Sequence, residues 1–174
     1  MKPPRSLLLS LAAFAATGVL AQDEPAATYE LVTPSAYEDF SYREVGTDET
    51  ARVFDDQFQA RFVPAAARLL PAGQRLHLRI LDIDMAGDIQ PWRNSRYEPL
   101  RYVEFGHPPR MTLEYQIIDP AGGVLAEGRE ELVDPSFDIR PPTIRQDEPF
   151  AYEFVMLERW LQNLVKSRSA GSAD

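Results

Sequence analysis

A short loop of proline and glycine sits between two strand-like stretches and dictates how they pair. Residues 110–119 and 124–133 both have strand character, and Asp119-Pro120-Ala121-Gly122-Gly123 joins them. Proline fixes one backbone angle and the glycines supply positive ones, as a tight hairpin requires. Two strands tied so closely have to run antiparallel. Upstream, residues 75–83 alternate, with Leu76, Leu78 and Ile80 on one face and Arg75, His77 and Arg79 on the other. That is the period of a strand buried on one side, and its apolar face needs a cover.

Two helical patterns supply the cover. Thr47 and Asp48 offer cap oxygens and Asp48 and Glu49 put negative charge in the first turn; Val53, Phe54, Phe58, Phe62, Ala66, Leu69 and Leu70 follow mostly at three- and four-residue spacing. Pro64 removes a backbone donor inside this run, so a kink or restart is expected near Phe62. Pro71, Ala72 and Gly73 end it. A second helix is expected to begin at Asp147, with Pro149 in its first turn and Phe150, Phe154, Leu157, Trp160 or Leu161, and Leu164 as its apolar stripe. Residues 166–174 read as a frayed polar tail. Residues 29–32 and 102–105 are further strand candidates, and residues 34–46 look irregular. The order predicts a single α+β domain over residues 29–165, an antiparallel sheet of about four strands with two helices packed on one face.

The first residues speak to compartment. Lys2 and Arg5 precede a charge-free stretch over residues 6–20 rich in Leu and Ala, and Val19 and Ala21 are the small residues that signal peptidase accepts. Residues 1–21 therefore read as a secretory signal cut before Gln22, with residues 22–28 as a linker. Gln22, rather than a cysteine, stands at the first mature position, so no lipid anchor is expected. Cleavage removes Lys2 and Arg5 and takes the net charge from −9 to −11. So acidic a chain is a poor ligand for phosphate backbones or anionic bilayers. No later stretch is long and apolar enough to span a membrane. The absence of cysteine suits an oxidising exported compartment, where a stray thiol is a liability, and leaves stability to the core.

Asp82, Asp84 and Asp88 form the most conspicuous polar cluster. Carboxylates two apart on a strand point the same way, so Asp82 and Asp84 could share a hard cation such as Ca²⁺. As a helix-loop-helix calcium loop the segment fails, because Ala86 stands where an oxygen ligand is needed and Arg93 where the closing Glu belongs. Pairing with an arginine of the neighbouring strand, Arg110 first, is the preferred reading. His77 and His107 are the two imidazoles, and with no cysteine a structural zinc site would need an unusual ligand set. Neither Ser95 nor Ser136 lies in a Gly-x-Ser-x-Gly elbow. Glu130, Glu131, Asp134 and Asp138 could suggest a carboxylate pair for glycoside chemistry, but in so acidic a chain they read as a solvated face.

Several separated motifs, taken together, resemble a known family. Asp82-x-Asp84-x-Ala86-Gly87-Asp88, Pro108-Pro109-Arg110 opening a strand, Gly128-x-Glu130-x-Leu132-x-Asp134, and Pro149-Phe150-x-Tyr152-Glu153 with Leu157 and Trp160 are similar to the signature of a small exported bacterial family, the domain of unknown function 3016. The resemblance runs from about Tyr29 to Leu164. It implies no activity and transfers no catalytic or ligand residue.

Two function classes follow. The preferred one is a non-catalytic periplasmic protein that binds another envelope component, with no cofactor. Its binding surface is expected at Trp92, Arg93, Arg96 and Tyr97, between Pro91 and Pro99, since Trp, Tyr and Arg dominate interface hot spots. The other is a small metal-assisted hydrolase built on Asp82, Asp84 and Asp88.

Overall fold

A computed structural model describes residues 24–42, 46–90, 101–104, 106–137, 139 and 148–171. The leader expected at residues 1–21 lies outside them. Strands β1 (Ala27–Leu31), β2 (Arg75–Asp84), β5 (Arg110–Ile118) and β6 (Val124–Val133) form one sheet in the order β1-β2-β5-β6. The hairpin is as expected, with β5 and β6 antiparallel and Asp119 Oδ1 accepting the Ala121 and Gly123 N–H groups across the turn. The sheet has the four strands expected and is mostly antiparallel, with one parallel pair: β1 runs beside β2 in parallel, Ala27 opposite Leu76 and Leu31 opposite Ile80. Parallel neighbours need a long crossover, and the first helical run supplies it. β1 also begins at Ala27, inside the stretch read as linker, and Ala27 is fully buried.

Along β2 the alternation holds through Ile80, where a bulge before Asp82 shifts the phase by one residue. Ile83 then joins Leu76, Leu78 and Ile80 in the core, and Asp82 and Asp84 face the open side. β3 (Asp88–Ile89) and β4 (Arg101–Tyr102) form a separate two-stranded ribbon. The strand expected at residues 102–105 is thus shorter, starts one residue earlier, and belongs to this ribbon rather than to the main sheet.

The first helical run is α1 (Thr47–Gln57), a π-helical turn (Phe58–Phe62) and α2 (Val63–Leu69). The predicted disturbance next to Pro64 is this widened turn, in which the Val63 N–H bonds back to the Phe58 carbonyl. It also aligns the core. Residues four apart drift about 40° per step around an ordinary helix, and the wider turn swings the row back. Phe54, Phe58 and Phe62 are consequently all fully buried, with ring centroids 6.3 and 5.1 Å apart. The expected side-chain cap is not made: Gly46 is the cap residue, and its carbonyl accepts the Thr50 N–H at 3.0 Å.

α3 (Ala151–Gly171) starts four residues later than expected and continues through most of the stretch read as frayed tail. Within it the Ser167 and Ser169 hydroxyls donate back to the carbonyls of Leu164 and Val165, both at 2.9 Å. Phe150, just before the helix, is held at φ 56°, an uncommon conformation for a bulky side chain. It is fixed there by packing against Phe40, Phe54 and Phe154. Phe150, Phe154, Leu157 and Leu161 are buried as predicted. Both helical runs lie on the apolar face of the sheet, the α+β arrangement expected.

The opposite face is polar and arranged in rows. Register places Glu30, Arg79, Glu114 and Arg129 side by side across four strands, alternating in sign. Arg79 pairs with Glu30 at 3.4 Å and with Glu114 at 2.5 Å.

Candidate functional site

The densest polar arrangement lies where β2 ends. Arg101, on β4, grips both carboxylate oxygens of Asp39, at 2.7 and 2.9 Å, and donates to the carbonyls of Gly87 and Ser41, each at 3.0 Å. All four terminal guanidinium N–H groups are thereby committed. Asp39 is held in turn through its backbone, its N–H on the Ile83 carbonyl and its carbonyl accepting the Met85 N–H, both at 3.2 Å. From the other side, the buried Glu153 of α3 accepts the Ala86 N–H at 2.7 Å. The loop around Asp39, the 85–87 turn, β4 and the start of α3 therefore meet at one node.

Gly87 is what lets the turn fit. Its φ is +77°, and a Cβ there would lie 2.2 Å from the Tyr102 carbonyl oxygen. Its N–H donates to the His107 carbonyl at 2.9 Å. No other residue type fits both the conformation and the space.

Burial pushes the Glu153 carboxyl above the usual carboxylate range, opposed in part by the Ala86 N–H and the Arg101 charge. Asp84 is raised too, first by desolvation and then by the neighbouring charges of Glu38 and Asp39, with Arg110 pulling the other way. Desolvation also raises the Tyr37 hydroxyl, to about 12, while that hydroxyl donates to the Ile80 carbonyl at 2.5 Å.

Asp82 and Asp84 face the same way, as read from the sequence. Asp82 Oδ1 accepts the Glu38 N–H at 2.9 Å, and Asp84 lies 3.7 Å from Arg110, the arginine expected to pair with it. Asp88 is on the separate ribbon. Among the described residues no group of three or more His, Asp or Glu is placed to hold a metal ion. His77 shares a hydrogen bond with the Thr28 hydroxyl at 3.0 Å on the open sheet face, and the His107 side chain is exposed. Asp134, expected on a solvated face, is buried: it takes an Arg159 N–H at 2.8 Å and the Ser136 N–H at 3.2 Å, which fixes the exit of β6. Ser136 is thus part of a turn. Trp92, Arg93, Arg96 and Tyr97, with Ser95, lie outside the described residues, as does Asp138.

Sequence reasoning did not find Asp39 or Arg101, and it placed Glu153 only as part of a motif. It also passed over Arg61, which the π-helical turn carries toward the core. Its guanidinium is 5.6 Å from the centre of the Phe154 ring and 3.6 Å from Glu148, and its terminal nitrogens have no hydrogen-bond partner.

Residues 26–163 match the family described as Protein of unknown function (DUF3016), and the chain belongs to that family, the one its motifs resemble. No curated protein matches it. Among solved structures, a minor lipoprotein from Acinetobacter baumannii determined at 2.35 Å aligns with 84% of this chain and 93% of its own, at 11% identity. The TM-score of 0.25 is too low for that likeness to inform fold or function.

Proposed function

We propose that this chain is an exported, non-catalytic protein of the cell envelope that binds another envelope component through Trp92, Arg93, Arg96 and Tyr97. The carrying observation is the use to which Arg101 is put. Its side chain is saturated by Asp39, Gly87 and Ser41, and its backbone sits opposite Ile89 in the β3–β4 ribbon. The guanidinium of this cluster is thus committed to partners within the fold. It fastens together the two points from which residues 91–100 depart and return. Holding both ends of a segment lowers the entropy lost when the segment meets a partner, and its Trp, Tyr and Arg residues are the types that anchor interfaces. The signal-like start supports export, and the acidic balance argues against nucleic acid as the partner.

A photoreactive phenylalanine analogue introduced in the cell at position 92 or 97 tests this. The expected result is a discrete adduct with an envelope component from either position and none from Ala121 in the β5–β6 turn. Equal adducts at all three positions, or none at 92 and 97, would overturn the reading. N-terminal sequencing of the exported protein is expected to return Gln22, and an intact leader in the membrane fraction would contradict export.

A further inference from the structure

β6 is an edge strand of ten residues, and no described residue pairs with its outer side. The Asp134 N–H bonds to the Pro109 carbonyl at 3.3 Å, toward β5, and backbone groups alternate sides along a strand. Those of Glu127, Arg129, Glu131 and Val133 therefore point outward. The same alternation, carried across the sheet, puts the Leu76 N–H toward β1, where it bonds to the Ala26 carbonyl at 2.9 Å. An unpaired row of donors and acceptors is a template for one more strand.

Beside this edge runs a groove of about 470 Å³ between β6 and α3. Leu132, Met156, Trp160 and Leu164 line it with apolar surface, and Trp160 is held by an edge contact with Tyr115, ring centroids 5.3 Å apart. Its charges are Glu130, Glu131 and the Asp134–Arg159 pair, so the site is acidic overall. We infer that the outer edge of β6, with the groove it shares with α3, docks an extended segment of another protein in which apolar and basic residues alternate. On a strand added here, side chains facing α3 would lie over Leu132, Trp160 and Leu164. Those on the other face would meet Glu127 and Glu131, with Arg129 between them. Backbone hydrogen bonds supply affinity in this mode, and the alternating side chains supply selectivity. The opposite charge of the segment also suits an acidic chain, −9 with the leader and −11 without it.

The test is a titration of the isotope-labelled exported protein with an eight-residue peptide alternating Val and Lys, blocked at both ends, followed by amide NMR. The amides of Glu127, Arg129, Glu131 and Val133 are expected to shift and to exchange more slowly, together with the Trp160 indole N–H. The Val/Glu counterpart is expected to bind at least tenfold more weakly. Arg129→Pro removes an outward donor without touching the bonds to β5, so the fold should persist while affinity for the Val/Lys peptide falls at least tenfold. Should that variant fail to fold, Glu131→Lys gives an independent reading, with the same direction of loss. Four outcomes would overturn the inference: shifts on another face, equal affinity for both peptides, protection of these amides in the free protein at every concentration, or protection that grows with protein concentration alone. The third would mean that the chain covers its own edge, and the fourth that a second copy does.

Discussion

Glu153 accepts the Ala86 N–H at 2.7 Å across 67 residues of sequence, and this bond ties the first turn of α3 to the turn that follows β2. The Ala86 donor would otherwise be buried without a partner, which costs about 1–3 kcal/mol. The carboxyl that satisfies it is itself raised above its usual range by burial. A group with a raised pKa in the folded protein binds its proton more readily when folded. Its contribution to stability is therefore fully present below pH 4.5, the unfolded value, and is lost as pH rises through the folded value.

Glu153→Gln keeps an acceptor oxygen for Ala86 and removes the ionisation. The variant is expected to melt at or above the wild-type temperature at pH 7, with the difference shrinking toward pH 4. Melting curves across this range check it. A Gln variant that is markedly less stable at pH 7 would mean that the ionised carboxylate, through Arg101, contributes more than its burial costs.

The Arg101–Asp39 pair is largely shielded, with side chains 15% and 27% exposed. Arg101→Ala strands Asp39 and releases the Gly87 and Ser41 carbonyls, so a loss of about 3 kcal/mol is expected. Asp39→Ala should cost a similar amount, and the double variant clearly less than the two together. Urea denaturation of the four proteins measures the coupling. Strict additivity would show that the pair does not act as a unit.

Gly87→Ala has neither the conformation nor the space it needs, since the new Cβ would lie 2.2 Å from the Tyr102 carbonyl oxygen. Gly122→Ala shares the positive φ, but no atom lies within 4 Å of its Cβ. The first is expected to lose at least about 2 kcal/mol more than the second, because a clash with backbone is added to a similar conformational cost. Thermal melts of the two variants check the difference.

What could be read from the sequence was what depends on near neighbours. The alternation of Leu76, Leu78 and Ile80, the turn at Pro120 to Gly123, and the disturbance beside Pro64 all have local causes, and each is present. The bulge before Asp82 leaves no local mark, because it answers to the pairing with Thr112 on β5. The parallel pairing of β1 depends in the same way on where the crossover returns the chain. The Arg101 node was hidden for this reason: Asp39 and Arg101 are 62 residues apart, and neither stands in a pattern that announces the other. Its available trace was the co-occurrence of Ala86-Gly87 with Glu153 among the motifs of the resemblance, two halves of one contact. Asp134 was misjudged because the acidic stretch around it looks uniform, and only the fold brings Arg159 to it.

Trp92→Ala, with stability and partner contact measured on the same protein, decides whether Trp92 is an interface anchor on the segment between Gln90 and Arg101. The expected result is a melting temperature close to the wild type, together with loss of the adduct formed from a photoreactive residue at position 97. A loss of about 3 kcal/mol or more would instead mark Trp92 as a core residue, and an unchanged adduct would show that the partner does not meet it.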